Sequence, residues 1–422
     1  MVNNFYWSFR NQCIKVYLNT LYPVLLSRRA KVIGKRDKID VVFFAINLAM
    51  WRYQGVYDLL SKEKRFCCHI ILTVSKLRKS QAGKDLQELR DFFNARSIDF
   101  CDYDDLNNRA YDVKNKINPD ILFYPQPYPG SYPVEHDFPM FEDKLMGYIH
   151  YSINVVKATD WLYDLRFHNL AWKIYCPTLF EKDTAKNESR NKGRNWVVSG
   201  YCNLDRYIGK EVHDVWKKKD ITLKRLIWAP HFSIVPESSW LGCRSNFLKM
   251  AQFMLNVADT YKHKLQIAFK PHPWLKSVLY EHPDWGKDRT DKYYERWALG
   301  ENTQLETGDF VALFKTSDAM IHDCGSFTAE YLFVNKPVAF ITSDVERLKE
   351  DHSDFGRAAL DQHYIVGNES EIQEFIEDVV LGGSDPLAPK RTEFYETILR
   401  PNVTGTTSQF IVDDIKKSLS LV

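Results

Sequence analysis

Short apolar runs alternate with longer amphipathic stretches along the chain from residue 39 onward. In the first half the apolar runs predict buried strands, and a charged stretch at 83–95 predicts a helix between two of them. The predicted strands are IDVVFFAIN (39–47), HIILTV (69–74), DILFYPQ (120–126), YIHYSINVV (148–156) and NWVVSGY (195–201). This alternation indicates a parallel sheet covered by helices.

The same alternation resumes after a charged joint at residues 210–224. The predicted strands of the second half are RLIWAPH (225–231), LQIAFKPHP (265–273), DAMIHD (318–323), PVAFIT (337–342) and HYIVG (363–367). A chain of 422 residues also exceeds what one hydrophobic core usually supports. We therefore expect an α/β protein of two Rossmann-like, doubly wound domains that face each other across a central cleft.

The expected division has four parts. These are an N-terminal arm (1–38), an N-terminal domain (39–215), a C-terminal domain (216–400) and a terminal segment (401–422) that returns as a helix to the N-terminal domain.

The arm is basic, with eight Lys and Arg residues against a single acid, Asp37. The cations are Arg10, Lys15, Arg28, Arg29, Lys31, Lys35, Arg36 and Lys38. Apolar residues such as Ile14, Leu18 and Leu21 follow helical spacing, and Pro23 is expected to end or kink the helix. A basic amphipathic helix can lie on an anionic membrane surface or pack on the protein's own body, and both interpretations stay open.

Composition excludes several other classes of protein. A net charge of +2 argues against a nucleic-acid partner, and eight cysteines without a CxxC pair argue against a zinc site. No compact secretory signal and no run of 18 apolar residues is present, so a cytoplasmic location is expected. We expect neither a metal nor a cofactor.

The most informative local pattern is IHDCGSFTAEYL (321–332), where a predicted strand runs through a short polar turn into a helix. Gly325 permits close backbone approach, while free amides at the helix start and the hydroxyls of Ser326 and Thr328 are expected to face a ligand. Such a helix start favours anions, and Glu330 is placed to accept hydrogen bonds from a ribose or sugar. An ordinary capped turn is the alternative.

Three histidines follow other predicted strands. His272 lies between two prolines in KPHPW beside Lys270, His231 ends WAPHF, and His150 lies in YIHYS. Histidines at the carboxyl ends of strands are placed to point into a cleft, where one of them can act as a general base. No GxGxxG follows the first strand, and the Walker and GxSxG motifs are absent, so other common chemistries lack support.

Several of these segments, in this order, resemble the teichoic-acid glycerophosphotransferases, which are GT-B proteins that use CDP-glycerol or CDP-ribitol. The segments are GYCNLD (200–205), WAPHF (228–232), KPHPW (270–274), HDCGSFTAEYLFVNKPVAF (322–340) and NVTGTTSQFIVDDI (402–415). The resemblance implies that Asp323, Gly325, Ser326 and Thr328 lie at the donor phosphates and that His272 serves the donor phosphate or leaving group. The family's WHGTPLK motif is not recognisable, although His150 lies near its place.

The expected protein is thus a transferase that moves a polyol phosphate from a CDP-linked donor to a cell-envelope glycan of the capsule, teichoic-acid or O-antigen type. His150 and His272 are the expected catalytic residues. The expected donor-binding residues are His231, Lys270, Asp323, Gly325, Ser326, Phe327, Thr328 and Glu330. Two alternatives are a GT-B glycosyltransferase that uses a UDP- or CMP-sugar and a non-enzymatic, nucleotide-dependent scaffold. The acceptor is expected to be a glycan or a lipid-linked glycan, and the site of action the inner face of the cell membrane.

Overall fold

The computed structural model describes residues 2–157, 160–209, 213–235, 245–308, 310–400 and 405–421. These residues form two compact units. Unit 1 comprises Met1–Ile153, Ala158–Asp205 and Leu399–Val422, and unit 2 comprises Asn154–Lys157 and Arg206–Ile398. Each unit contains one six-stranded sheet in which all strands run parallel. The expected α/β class with two Rossmann-like units is confirmed.

The sheet of unit 1 has the strand order β2-β1-β3-β4-β5-β6. Its strands are β1 (Ile39–Ala45), β2 (Phe66–Leu72), β3 (Ile121–Tyr124), β4 (Leu145–Ile149), β5 (Lys173–Cys176) and β6 (Trp196–Val198). The central strands are apolar at successive positions because both faces of a parallel sheet are covered by other elements. The chain order reverses between β1 and β3, and such a switch point is where open α/β sheets bind ligands.

Helices of unit 1 precede, connect and flank these strands. They are α1 (Val2–Asn19), α2 (Leu21–Ile33), α3 (Gln54–Leu60), α4 (Ala82–Asn94), α5 (Val113–Lys116), α6 (Asp160–Tyr163), α7 (Arg166–Leu170) and α8 (Leu179–Glu188), with α9 (Asp205–Ile208) at the junction to unit 2. Short 3-10 turns cover Lys76–Gln81, Phe138–Phe141 and Cys202–Leu204.

The sheet of unit 2 has the order β12-β11-β10-β7-β8-β9 and reverses between β7 and β10. Its strands are β7 (Lys224–Ala229), β8 (Leu265–Phe269), β9 (Thr303–Leu305), β10 (Ala319–His322), β11 (Val338–Ile341) and β12 (Tyr364–Val366). A core of aliphatic and aromatic side chains, including Trp228, Phe247, Phe269 and Trp297, packs on this sheet.

The helices of unit 2 fill the connections between its strands. They are α10 (Phe247–Thr260), α11 (Leu275–Glu281), α12 (Gly286–Leu299), α13 (Val311–Thr316), α14 (Phe327–Glu330), α15 (Val345–Asp351), α16 (Asp354–Leu360), α17 (Glu369–Glu374) and α18 (Ala388–Phe394). A 3-10 turn at Tyr331–Val334 and two wider helical turns at Phe375–Leu381 and Tyr395–Leu399 continue α14, α17 and α18.

The predicted strand 148–156 is wrong in its second half. β4 ends at Ile149, and the following stretch Asn154–Lys157 belongs to unit 2, where Val156 forms an antiparallel bridge with His352. The apolar residues of this stretch are buried outside the sheet. In the sequence they therefore resemble a continuation of β4. The prediction also missed β5 and β9, which have four and three residues and no long apolar run.

The arm forms α1 and α2, and the break between them falls at Thr20. Pro23 lies in the first turn of α2, where its missing N–H has no intrahelical partner to lose. The inner side of α2, including Tyr22, Leu26 and Ala30, is buried in the core of unit 1. Of the two interpretations of the arm, packing on the protein's own body is therefore correct for this face of α2. Among the described residues, no helix is long and apolar enough to cross a membrane.

The last helix of the chain, α19 (Thr407–Ser418), packs on unit 1. The Asp205 carboxylate accepts hydrogen bonds from the backbone N–H groups of Thr407 at 2.7 Å and Ser408 at 2.9 Å. Farther along the helix, Asp414 accepts from the Tyr175 hydroxyl at 2.9 Å and pairs with Lys173. Residues 401–404 of the expected terminal segment (401–422) lie outside the described residues. In the described part of the segment, a helix packs on unit 1.

We predict that Asp205→Ala lowers the free energy of unfolding of unit 1 by about 1–3 kcal/mol, because two N–H donors at the start of α19 lose a charged acceptor. Urea denaturation followed by circular dichroism measures this loss. Asp413→Ala, which removes an exposed carboxylate on the same helix, is the control and should change stability by less than about 0.5 kcal/mol. Equal losses in both variants would contradict the role of Asp205.

Candidate functional site

The switch point of unit 2 gathers the polar residues that follow three strands. His231 follows β7, Lys270 and His272 follow β8, and Asp323 follows β10. Since β7 pairs with both β8 and β10, the ends of these three strands lie side by side. The site is thus assembled by sheet order from segments far apart in the sequence.

Asp323 joins the segments around this switch point. Its carboxylate accepts hydrogen bonds from the backbone N–H groups of His231 at 2.6 Å and Asn246 at 2.6 Å, and from the Ser245 hydroxyl at 3.0 Å. The side chain is 5% exposed, and burial raises the pKa of Asp323 to about 6 despite the three donors.

The expected contact of Asp323 with donor phosphates is not what this geometry favours. A buried carboxylate repels a phosphate, and its oxygens already serve protein donors. Asp323 is instead placed as a positioning residue, which holds the segment after β7 and the start of α10 to the end of β10.

His231 and His272 lie against each other, with ring centroids 5.0 Å apart. Nδ1 of His272 accepts the Trp274 N–H at 3.2 Å, and Nδ1 of His231 accepts the Ser233 N–H at 3.3 Å. A neutral ring whose Nδ1 accepts a hydrogen bond carries its proton on Nε2, as His272 does. Burial lowers the pKa of His272 to about 3, with smaller contributions from His231 and Lys270, so this ring is neutral at physiological pH.

Lys270 is buried, and its ammonium group donates a hydrogen bond to the Gly308 carbonyl at 2.7 Å. This bond ties the end of β8 to the loop that follows β9. The positive charge thus lies beside the histidines and also fixes the loop before α13.

The turn between β10 and α14 presents backbone donors. Among the described residues, the N–H groups of Gly325, Ser326 and Phe327 have no hydrogen-bond partner. Ser326 is exposed, and its hydroxyl does not cap the helix. A Cβ added to Gly325 would meet only Val155, at 3.9 Å, so the turn is open to close approach. Successive free amides of this kind suit an anion.

Two expectations for this turn need correction. The hydroxyl of Thr328 is fully buried and donates to the Cys324 carbonyl at 3.3 Å, so it does not face a ligand. The predicted helix is also shorter, because α14 has four residues before it tightens into the 3-10 turn at Tyr331–Val334. The affinity of this turn for an anion would therefore come from its local backbone N–H groups more than from the dipole of a long helix.

Phe327 and Glu330 flank the turn in different environments. The Phe327 ring is half-buried and packs on Phe310 and Phe314, with centroids 5.4 Å and 5.0 Å away. Glu330 is 5% exposed and lies one turn into the helix. Contact of Glu330 with a ribose stays a prediction.

His150 lies in unit 1, directly after β4, while the other predicted site residues belong to unit 2. Its ring stacks obliquely on Tyr148 with centroids 4.7 Å apart, and Nδ1 lies 3.7 Å from the Glu181 carboxylate. Burial, with the nearby His168 ring, lowers the pKa of His150 to about 3, so the ring is neutral. The 3.7 Å separation exceeds hydrogen-bond distance, and the negative charge of Glu181 on the Nδ1 side favours the tautomer with its proton on that nitrogen.

Sequence reasoning missed the residues that support these groups. Ser245 and Asn246 hold Asp323, Gly308 receives Lys270, and Glu181 faces His150. A Ser-Asn pair before an apolar helical stretch is a helix-start signal, so the first two lay within reach of the sequence. The roles of Gly308 and Glu181 as partners can be identified only from tertiary contacts.

In the described part of the chain, no group of three or more His, Cys, Asp or Glu side chains is arranged to hold a metal ion.

Comparison with solved structures finds similar folds over nearly the whole chain. A putative UDP-N-acetylglucosamine 2-epimerase from Listeria monocytogenes matches with a TM-score of 0.59 and 15% identity over 91% of this chain and 98% of that one. MnaA of S. aureus with UDP matches with a TM-score of 0.54 and 15% identity over 92% and 98%.

The wall teichoic acid polymerase TagF also matches, in a variant with one histidine changed to asparagine. Its TM-score is 0.57 at 13% identity over 100% of this chain and 98% of that one, with the same values for that variant soaked with CDPG. These similarities confirm the expected GT-B fold. No protein-family model and no curated protein matches the sequence.

We predict that His272→Gln makes the protein less sensitive to acid. The folded state holds the His272 pKa near 3, whereas an unfolded histidine titrates near 6.5, so its contribution to stability is complete above pH 6.5 and is lost as the pH falls toward 3. Between pH 7 and pH 5 the variant should lose about 1–2 kcal/mol less free energy of unfolding than the wild type, measured by urea denaturation. His263→Gln, an exposed histidine in the same unit, is the control. An identical loss in His272→Gln and wild type would refute the assignment.

Proposed function

We propose that this chain transfers a glycerol- or ribitol-phosphate group from a CDP-linked donor to a hydroxyl group of a cell-envelope glycan of the capsule, teichoic-acid or O-antigen type. The observation that carries the proposal is the pair of imidazoles at the switch point of unit 2, beside a turn with free backbone amides. The GT-B neighbours support it, because TagF is a teichoic acid polymerase that was soaked with CDPG.

The diphosphate of the donor is proposed to bind through neutral hydrogen-bond donors. His272 offers an Nε2–H group with His231 packed against its ring, and the turn at 325–327 offers backbone N–H groups. Fixed donors in a partly buried site stabilise developing negative charge without having to reorganise during the reaction. Lys270 adds a positive charge close to the same strand ends.

In the proposed reaction, the acceptor hydroxyl oxygen attacks the phosphorus that carries the polyol. A new P–O bond forms to the acceptor, and the bond from this phosphorus to the oxygen that bridges the two phosphates breaks, so that CMP leaves. The hydroxyl proton passes to a general base, and His272 stabilises the leaving phosphate. The role of His150 of unit 1 as this base stays a prediction. Positioning and electrostatics carry this chemistry, and no covalent enzyme intermediate is required.

A second candidate is a GT-B glycosyltransferase with a UDP- or CMP-sugar donor. The observation in its favour is that MnaA, a structural neighbour, was solved with UDP. In this case the acceptor oxygen attacks the anomeric carbon, and the nucleotide leaves with its phosphate. The same unit 2 donors would hold the nucleotide phosphates.

We predict that CDP-glycerol or CDP-ribitol raises the thermal unfolding temperature more than UDP-hexoses, CMP-sialic acid or GDP-sugars do. A ligand at 100 times its Kd adds about 2.7 kcal/mol to stability, which a thermal-shift panel detects readily. With the stabilising donor, His272→Ala should lower turnover at least tenfold, while the exposed control His263→Ala should not. Preferential stabilisation by UDP-hexoses would replace the main proposal by the second candidate, and nucleotide binding without turnover would favour a non-enzymatic scaffold.

We also propose that the protein works on the cytoplasmic face of the cell membrane, where lipid-linked glycan acceptors are found. The outer face of α1 and α2 supports this location. Large apolar side chains are exposed there beside the cations of the arm: Val16 (55%), Tyr17 (41%), Leu21 (52%), Val24 (45%), Leu25 (38%) and Val32 (60%). An exposed apolar stripe with Lys and Arg suits the surface of an anionic bilayer.

We predict that the double variant Leu21→Ser/Val24→Ser reduces co-sedimentation with phosphatidylglycerol-containing vesicles at least fivefold, because two apolar side chains no longer enter the interface. Wild-type binding should weaken with added salt, which screens the basic residues. Leu299→Ser, which removes an exposed leucine from unit 2, is the matched control. Undiminished sedimentation of the double variant would exclude this face. Substitutions are preferred to deletion of 1–38, because deletion would uncover the core beneath α2.

A further inference from the structure

A cavity of about 280 Å³ lies in unit 1 beside the starts of β5 and β6. Lys173 begins β5 and Asn195 directly precedes β6, while α2 forms the facing wall. Because all strands of this sheet run parallel, the cavity lies at the edge where they begin, and His150, which follows β4, lies at the edge where they end. The cavity is therefore separate from the strand ends that carry the predicted site residues.

Apolar side chains form the larger part of the wall of this cavity. They come from α1, from α2 and from the segment before β5, and they are Leu18, Tyr22, Leu26, Ala30, Ala171 and Trp172. The polar end of Tyr22 is already satisfied, since its hydroxyl donates to the Leu170 carbonyl at 2.7 Å. An apolar wall of this kind gains free energy when a hydrocarbon replaces water against it.

The asparagines that line the cavity are satisfied by the protein itself. Nδ2 of Asn195 donates to the carbonyls of His168 at 2.8 Å and Ala171 at 2.7 Å. Its Oδ1 accepts from Nδ2 of Asn191 at 2.9 Å, and Oδ1 of Asn169 accepts the Asn191 N–H at 2.9 Å. A polar ligand would lose its water shell here without gaining these amides as partners, which disfavours it relative to an apolar chain.

The rim of the cavity carries positive charge. Arg194 is exposed at the rim, and one of its guanidinium N–H groups donates to the Asn19 carbonyl, which leaves further N–H groups on the same side chain. Lys173 is paired with Asp414 at 3.0 Å, so its charge is compensated within the unit. Arg194 is thus the cation of the lining that is placed to meet an anionic group at the edge of the cavity.

The cavity adjoins the exposed apolar face of α2. Residues 21–26 are apolar without interruption, so the first turns of α2 are apolar on all sides, a pattern typical of a helix that is covered on all sides. Val24 and Ser27 lie three positions apart and so neighbour each other, the first on the exposed face and the second in the lining of the cavity. A hydrocarbon chain can therefore pass from that face into the cavity without crossing a charged surface of the helix.

We propose that this cavity binds one hydrocarbon chain of an anionic membrane lipid, with the lipid phosphate at Arg194 and the chain along Tyr22, Leu26 and Trp172. The site goes beyond the proposed transfer reaction, because it lies away from the groups that carry it. It rests on the proposed membrane location of α1 and α2, which brings the cavity to the lipid.

The first test measures how binding depends on chain length, with lipids that remain monomeric in solution. Dioctanoyl-phosphatidylglycerol should bind the wild type about tenfold more tightly than dihexanoyl-phosphatidylglycerol in titration calorimetry, because the bound chain buries two more methylene groups. Inorganic phosphate at the same concentration should displace neither lipid, because most of the affinity comes from the chain. Equal affinity for the two lipids, or displacement by phosphate, would overturn the proposal.

Ser27→Phe tests the place of binding. Ser27 is exposed, so an aromatic ring at this position narrows the opening of the cavity without removing a core side chain. Affinity for dioctanoyl-phosphatidylglycerol should fall at least tenfold. Ser370→Phe, at an exposed serine of α17 in unit 2, is the matched control and should bind as the wild type does. Unchanged affinity in the folded Ser27→Phe variant would refute the cavity.

Trp172 allows a measurement that does not obstruct the cavity. A lipid whose octanoyl chain carries bromine at its end quenches the fluorescence of an indole ring that it contacts. This lipid should lower the fluorescence of the wild type, and Trp172→Phe should lose most of the quenching, whereas the control Trp285→Phe, at a buried tryptophan of unit 2, should keep it. Full quenching in Trp172→Phe would place the chain elsewhere.

The headgroup contact is tested by comparing two lipids of equal chain length. The wild type should bind dioctanoyl-phosphatidylglycerol at least threefold more tightly than dioctanoyl-phosphatidylcholine, and Arg194→Gln should lose this preference, because Gln keeps a donor for the Asn19 carbonyl but carries no charge. Equal affinities of the wild type for the two lipids would refute an anionic ligand.

The outcomes separate the cavity from the membrane location on which it rests. Leu21→Ser/Val24→Ser leaves the lining intact, so this variant should bind monomeric dioctanoyl-phosphatidylglycerol as the wild type does. If it also sediments with vesicles as the wild type does while the chain-length dependence holds, the membrane face fails and the cavity stands. If the wild type binds vesicles through that face but neither monomeric lipid binds, the cavity proposal fails alone, and a protein segment becomes the better occupant of the apolar wall.

Discussion

The candidate site of unit 2 depends on a single buried carboxylate. Asp323 receives donors from the segment after β7, which sheet pairing brings beside the end of β10, and from the start of α10. Burial raises its pKa, and the three donors oppose this rise, so the carboxylate and its partners are mutually dependent. His231 takes its position from this contact, His272 packs on His231, and the turn with free amides begins at the next residues.

Positive charge plays an indirect part around these groups. The ammonium of Lys270 donates a hydrogen bond to the Gly308 carbonyl, and the half-buried Lys336 donates to the carbonyls of Lys315 and Ser317 at the end of α13. Burial lowers the pKa of Lys336 to about 8, which further reduces its value as a fixed charge. In the proposed function, the phosphates of the donor would therefore meet mainly neutral N–H groups. A site built in this way discriminates by geometry, because neutral dipoles act only at contact distance while point charges also attract anions from farther away.

Most of the architecture could be predicted from the sequence, because a sheet that is buried on both faces requires strands with long apolar runs. The prediction failed where a strand is too short to have such a run, or where an apolar run is buried outside the sheet. β5 and β9 are short, and the run at 148–156 is apolar because Ile153 and Val155 are buried outside the sheet. Histidines at strand ends were found from their flanking prolines and strands. The direction of the Thr328 hydroxyl, the partners of Asp323 and the pairing of His150 with Glu181 depend on contacts between distant segments, which one sequence does not reveal.

Because the stretch Asn154–Lys157 belongs to unit 2, neither unit is a single continuous segment of the chain. The polypeptide passes from one unit to the other at 153/154, 157/158, 205/206 and 398/399. The stretch fits so closely on unit 2 that a Cβ on Gly356 would collide with the Val155 carbonyl, and Val155 also borders Gly325 in the turn with free amides. A contiguous fragment that begins at Arg206 would lack this strip and leave the turn uncovered on one side. Unit 2 is thus not a portable module, and recombination that exchanges this unit between related chains would have to carry two separate segments together.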